Sequence, residues 1–149
     1  MKHLWKIACV NWLRGALALA LVGCAPNPES AVRGRAAAFS QLLLDDKFDE
    51  AVNFFDPDLV ANQGRTAIAN DWKIGVGIVK GLVTFGTRKV AGFEVRRVDF
   101  DTTKKIATVQ VVYFSTAEDG SDRKEHPTDQ RWAFKRDAWY FAPAKREEK

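Results

Sequence analysis

The sequence predicts an α+β domain in which the helices come first and the strands follow. Three observations carry this expectation. From Ala31 to about Phe85 apolar residues recur at intervals of three and four, the period of one helix face. After Gly86 they alternate, the period of a half-buried strand. The two patterns fall in separate runs, as they do in α+β proteins.

The first 23 of the 149 residues read as a targeting segment. Lys2, Lys6 and Arg14 make its start positive, and Gly15 to Val22 is an unbroken apolar run that ends in Gly23-Cys24. A positive start, a short apolar stretch and small residues before a boundary are what a secretory signal requires. The run falls well short of the roughly 20 apolar residues that span a bilayer. An uncleaved anchor would also place Arg14 inside the membrane. Three of the 23 Lys and Arg residues lie in this segment and none of the 19 acids does, so 20 basic residues remain against 19 acidic ones. A net charge of about +1 does not recruit a phosphate backbone, which argues against a nucleic-acid partner. The 126 residues left after cleavage suffice for one core and are too few for two. Both cysteines, Cys9 and Cys24, lie in or at the edge of the targeting segment, so the remainder can form neither a disulfide framework nor a cysteine zinc site.

Leu21-Val22-Gly23-Cys24 resembles the lipobox of bacterial lipoproteins. The resemblance implies cleavage before Cys24, a diacylglycerol on its sulfur and a further acyl chain on the new amino group. Each buried methylene contributes about 0.8 kcal/mol, and two or more chains anchor durably. Cys9 follows Lys6-Ile7-Ala8 and has no apolar run upstream of it. Residues 24–30, with Pro26 and Pro28, read as an extended tether. Enterobacterial lipoproteins with aspartate after the cysteine tend to stay in the inner membrane. Ala25 stands there in this chain, which implies the periplasmic face of the outer membrane.

The domain is expected over 31–143. A first helix from Ala31 to Leu44 takes Ser30 as its N-cap and buries Val32, Ala36, Phe39 and Leu43. Asp45-Asp46 interrupts it. Asp46 then caps a second helix that buries Phe48, Val52 and Phe55 and ends at Asp56-Pro57. A third helix runs from Arg65 to about Phe85, with Ile68, Trp72, Val76, Val79 and Val83 on one face. Gly75, Gly77 and Gly81 each weaken it by about 1 kcal/mol relative to alanine, so they are expected where another backbone comes close. The spacing of Gly77 and Gly81 also suits membrane helix pairs, but Lys73 and Lys80 argue against insertion.

In the first strand Phe93 and Val95 share one phase, Val98 and Phe100 the other, with Arg96-Arg97 between them. One extra residue there restores a single apolar face, which predicts a β-bulge that bends the strand. Lys105 to Thr116 is a long strand with Ala107, Val109, Val111 and Tyr113 on one side. Ala117 to Lys124 is a polar loop. Thr128 to Lys135 turns Trp132 and Phe134 inward, and a short turn at Arg136-Asp137 leads to Trp139-Tyr140-Phe141. Residues 144–149 end the chain as a charged tail.

Catalytic signatures are sparse. His126 is the one histidine left after cleavage and sits beside Pro127 in what reads as a charged, solvated loop. No nucleophile elbow, phosphate-binding glycine loop or zinc helix is present. Asp45-Asp46 and Asp56-x-Asp58 are better explained as helix caps and breaks than as a metal or acid–base pair. No catalytic residue, metal ligand or cofactor is assigned.

Leu42 to Ala51, Ile106-Ala107-Thr108-Val109-Gln110-Val111 and the closing hairpin Trp132 to Phe141 resemble, in that order, motifs of the nuclear transport factor 2-like (cystatin-like) superfamily, in particular small secreted lipoproteins built on that cone. The superfamily has glycine near the hairpin turn, where this chain has Asp137-Ala138. The resemblance implies helices lying across a curved antiparallel sheet of about four strands, with room for a pocket between them. Some members are isomerases or dehydratases with an acid or histidine inside the cone. Asp71, Asp99 and Tyr113 are the groups that could stand near such a mouth. The function expected is a membrane-tethered, non-catalytic binding or assembly module of the cell envelope, with a protein or a small apolar ligand as partner. The alternative is a small cone-pocket enzyme or a hydrophobic-ligand carrier.

Cys24→Ala should abolish fatty-acid labelling and cleavage before residue 24, whereas Cys9→Ala should leave both intact. Equal labelling of wild type and Cys24→Ala with radioactive palmitate would overturn the lipoprotein expectation.

Overall fold

A computed structural model describes residues 27–83 and 88–143; the expected signal segment, Cys24, the Gly86 boundary and residues 144–149 lie outside them. Helix α1 spans Pro28–Leu44. It starts earlier than Ala31 and is capped by Asn27 rather than Ser30: Asn27 Oδ1 accepts from the Glu29 N–H at 3.0 Å. Pro28 holds the first position, where its missing N–H costs nothing. At the other end, the Lys47 N–H bonds Leu42 O at 2.9 Å and the Asp46 N–H bonds Leu43 O at 3.4 Å, with Asp46 at φ 59°. This is a Schellman closure with aspartate in the left-handed position that glycine usually takes. Asp46 therefore ends α1 and does not cap the next helix.

Helix α2 (Phe48–Ala51) continues into a 3₁₀ turn over Val52–Phe54. Asp56-Pro57 then opens a helix that the sequence did not reveal, α3 (Pro57–Gln63), in which Asp56 Oδ1 accepts from the Asp58 N–H at 3.0 Å. The X-Pro step that stops one helix also suits the first turn of another. Gly64, at φ 84°, separates α3 from α4 (Arg65–Val83). Ile68 and Ala69 are buried in α4, and Trp72 and Val76 pack against the core. A Cβ built on Gly75, Gly77 or Gly81 meets no described atom within 4 Å, so close backbone approach does not explain these glycines.

Strands β1 (Arg88–Phe100), β2 (Ile106–Ala117), β3 (Lys124–Lys135) and β4 (Ala138–Phe141) form one antiparallel sheet in the order β1-β2-β3-β4. The predicted bulge is present: Val95 pairs Val111 and Arg97 pairs Gln110, which leaves Arg96 as the extra residue. A second irregularity lies between Val90 and Gly92, where Gly92 takes φ 150°. Both shifts bend the edge strand and curl the sheet. Val95, Val98, Phe100, Ala107, Val109, Val111 and Trp132 then share its concave face with α1. Strand β3 begins at Lys124, earlier than predicted, so His126 and Pro127 lie within the sheet and not in a loop. Strand β4 pairs only 132–135, and among the described residues no strand pairs the far side of 124–130. Arg131 O accepts from the Ala142 N–H on that side, and two-residue alternation puts the nitrogen of Pro127 there too. Phe134 shares a face with Trp139, 5.3 Å between ring centroids, but stays 38% exposed at the end of the sheet, contrary to its expected burial.

The β3–β4 turn has Arg136 at φ 47° and Asp137 at φ 62° between the paired residues Lys135 and Ala138. This is the two-residue form that usually carries Asn-Gly. Lys135 reaches Asp56 Oδ2 at 2.6 Å and Asp58 Oδ2 at 2.9 Å, and its ammonium holds the Asp58 carboxyl below its ordinary range. The Asp56-x-Asp58 pair thus caps α3 and ties it to the hairpin.

Phe39 stands at the centre of the core. Its ring lies 4.8 Å from Phe141, 5.7 Å from Phe55 and Trp72, 5.9 Å from Trp132 and 6.1 Å from Phe54. Phe39→Ala should therefore cost about 3–5 kcal/mol of stability; a chemical-denaturation midpoint unchanged from wild type would refute this packing. Gly75→Ala should do the reverse and stabilise by about 0.5–1 kcal/mol, because the site is helical and open. A lowered thermal midpoint for that variant would show that the glycine is required there.

Candidate functional site

Helices α1 and α4 leave the lower concave face filled and the upper part open. There, an open cleft of about 1270 Å³ lies between α4, the end of α1 and strands β2 and β3. Leu43, Leu59, Trp72 and Val76 give it apolar walls, and Tyr113, His126 and Thr128 give it a polar floor. Cross-strand pairing explains the floor. Tyr113 pairs His126, Val111 pairs Thr128 and Val109 pairs Gln130, so these residues share the concave face in phase with the buried Val109 and Val111.

Where apolar core gives way to cleft, a buried polar network closes the boundary. Ser40 Oγ accepts from the Tyr113 hydroxyl and from Gln130 Nε2, both at 3.1 Å, while Gln130 Oε1 accepts from the Trp132 indole N–H at 3.2 Å. Burial pushes the Tyr113 hydroxyl above its ordinary pKa, and its hydrogen bonds to Ser40 and Gln130 oppose that shift. The phenol therefore stays neutral and serves as a donor.

His126 belongs to a second polar group. Its Nε2 lies 2.9 Å from Ser115 Oγ, which also accepts from Arg88 Nε at 3.2 Å. Arg88 Nη2 donates to Ser115 O at 3.0 Å, and Arg88 Nη1 pairs with Asp122 at 2.5 Å. A serine hydroxyl on a histidine is the first step of a nucleophilic relay. Ser115, however, is 0% exposed, so a substrate cannot reach its oxygen.

The structure separates the residues that the sequence singled out. Tyr113 and Asp71 both line the cleft. Asp99 does not: it pairs with Arg97 Nε at 2.6 Å on the exposed side of β1. Asp45 accepts from Gln41 at 2.9 Å, and Asp46 pairs with Lys80 at 2.6 Å. Among the described residues no group of three His, Cys, Asp or Glu could hold a metal ion, and no helix is long and apolar enough to cross a membrane. Sequence reasoning missed Ser40, Arg88, Ser115 and Gln130. The alternation His126-x-Thr128-x-Gln130-x-Trp132 was the available signal, but the expected polar loop cut it short.

No family model matches the sequence, and no curated protein matches it. Among solved structures, the chain is similar to a nuclear transport factor 2-like transpeptidase from Campylobacter jejuni, with 13% identity and a TM-score of 0.54 over 77% of this chain and 96% of that one. It also has a slight likeness to a SEC-C motif containing protein from Rhodopseudomonas palustris, with 17% identity and a TM-score of 0.42 over 78% of this chain and 75% of that one. At such identities a likeness speaks of fold alone. The helices across a curled four-stranded antiparallel sheet, together with the first of these matches, show that the chain has the fold of a nuclear transport factor 2-like protein.

Proposed function

We propose that this protein is a lipid-anchored lipoprotein of the bacterial cell envelope whose cone is a non-catalytic binding module. The observation that carries the binding reading is the open cleft with apolar walls and a polar floor. Its volume exceeds the roughly 300–1,000 Å³ common for small-molecule sites. On its floor Tyr113 and His126 are cross-strand neighbours, but each is tied into its own hydrogen-bond group, Tyr113 with Ser40 and His126 with Ser115. Lys80 pairs with Asp46 at 2.6 Å, while Asp71 and Asp129 have no ion pair among the described residues. Acid–base chemistry needs two such groups placed on one reacting centre.

The anchor reading rests on Leu21-Val22-Gly23-Cys24 after the apolar run. Acyl chains on Cys24 would hold the domain at the membrane through a few residues before Asn27 caps α1. With Ala25 next to the cysteine, the periplasmic face of the outer membrane is the proposed location. The occupant of the cleft is then a small molecule with a long apolar part, drawn from the membrane surface beside it.

Thr128 is exposed and lies on the cleft floor, so Thr128→Trp should fill the cleft without disturbing the core. The variant should keep the wild-type thermal midpoint yet fail to complement a deletion strain, whereas Asp71→Asn should complement fully. Full complementation by Thr128→Trp would refute the binding reading, and loss of function in a folded Asp71→Asn protein would favour the enzyme alternative.

A further inference from the structure

We infer that His126 Nδ1–H is the hydrogen-bond donor for an uncharged acyl carbonyl, an ester or amide, of a lipid held in the cleft, and that Ser115 and Arg88 fix the ring for this task. The inference rests on the cleft being a binding site. Its first step is a count of protons around Ser115. The Ser115 side chain is fully buried, so water does not satisfy its hydroxyl proton. Arg88 Nε sits 3.2 Å from Oγ and can only donate, since a guanidinium has no acceptor. The hydroxyl proton must therefore go elsewhere, and His126 Nε2 at 2.9 Å is its one acceptor among the described residues. An imidazole that accepts at Nε2 and is neutral carries its proton on Nδ1.

The second step concerns what Nδ1–H meets. His126 lines the cleft, and its Nδ1 has no protein partner among the described residues. Thr128, next on the same face of β3, also lines the cleft, and its hydroxyl has no described partner either. A neutral N–H and a hydroxyl side by side beneath apolar walls suit an oxygen acceptor joined to a hydrocarbon.

Charge selects among such acceptors. Asp122 neutralises Arg88 and Asp46 pairs with Lys80, while Asp71 on the cleft lining has no ion pair among the described residues. A fatty-acid carboxylate would meet the like charge of Asp71, while Arg88 and Lys80 are already matched by Asp122 and Asp46. A lipid amine would be drawn to Asp71 but would find only a donor at His126 Nδ1. An ester or amide carbonyl accepts from both groups and carries no charge to be opposed. The Arg88–Ser115–His126 chain thus acts by positioning, and His126 itself contacts the ligand.

The test uses the full-length protein in nanodiscs, with empty nanodiscs as blanks and three probes: monooctanoylglycerol, octanoate and octylamine. Trp72 on the cleft wall reports binding by fluorescence. The ¹⁵N ring shifts of His126, assigned against the His126→Phe spectrum, report the tautomer. The wild type should show the Nδ1–H tautomer and bind the ester more tightly than either charged probe. His126→Phe should weaken ester binding about three- to tenfold, the value of one hydrogen bond, and leave octylamine binding unchanged. Ser115→Ala should turn the single tautomer into a mixture and weaken ester binding in the same direction. An Nε2–H tautomer in the wild type, or equal ester affinity in wild type and a folded His126→Phe protein, overturns the inference while leaving the cleft a binding site. Failure of all three probes to bind overturns both.

Discussion

The ring of Phe39 touches an aromatic side chain from each segment that must be held over the concave face: Phe54 and Phe55 after α2, Trp72 on α4, Trp132 on β3 and Phe141 on β4. Helices and sheet come from opposite halves of the chain, so few local contacts hold them together. A single side chain at the meeting point of five others fixes the height of α1 above the sheet and the angle at which α4 leaves it. Backbone contacts reinforce this arrangement at the edge, where Phe55 bridges Phe141 and the Asp56 N–H bonds Phe141 O at 2.9 Å. Lys135 adds its two carboxylate contacts from the adjoining turn. The rest of the architecture, including the cleft, follows from how far this cluster extends.

It extends only part of the way. Beyond Phe39 on α1 comes Ser40, and beyond Trp132 on β3, towards the open end, comes Gln130. The hydrogen bonds among Ser40, Tyr113 and Gln130 end the dry core with polar groups that satisfy one another. Past that line the concave face carries hydroxyls and an imidazole in place of valines. On the opposite wall, α4 presents Gly75, which adds no side chain to fill the gap. The cleft is therefore the joint product of a polar floor and a wall with a missing side chain. A helix with glycines at open positions has weak intrinsic stability, and sites that admit ligands draw on such low-stability elements.

Much of this was legible in the sequence because periodicity reports burial directly. The stripe Val32, Ala36, Phe39 and Leu43, the alternation of Ala107, Val109 and Val111, and the phase break at Arg96-Arg97 each gave the correct buried face. The errors arose where a residue type serves two physical roles. Asp46 was read as the start of a helix, but aspartate tolerates the left-handed geometry of a helix end. Asp56-Pro57 was read as a stop and is also a start. Charge density made 124–127 look like a loop, although an edge strand is a usual place for charge and for proline. That last misreading hid the floor of the candidate site, since His126 and Gln130 reveal their common face only within a strand.

Pro127 carries a consequence for how copies of this protein behave together. It lies on the side of β3 that no described strand pairs, where a neighbouring chain could otherwise continue the sheet by strand addition. Without an N–H it breaks the ladder that such an addition needs, and Lys124, Glu125 and Asp129 set charges along the same stretch. Strand addition along this stretch of β3 is thereby blocked by covalent structure. A domain crowded among its own copies can keep this stretch of β3, unpaired among the described residues, beside its cleft without its becoming a seed for aggregation.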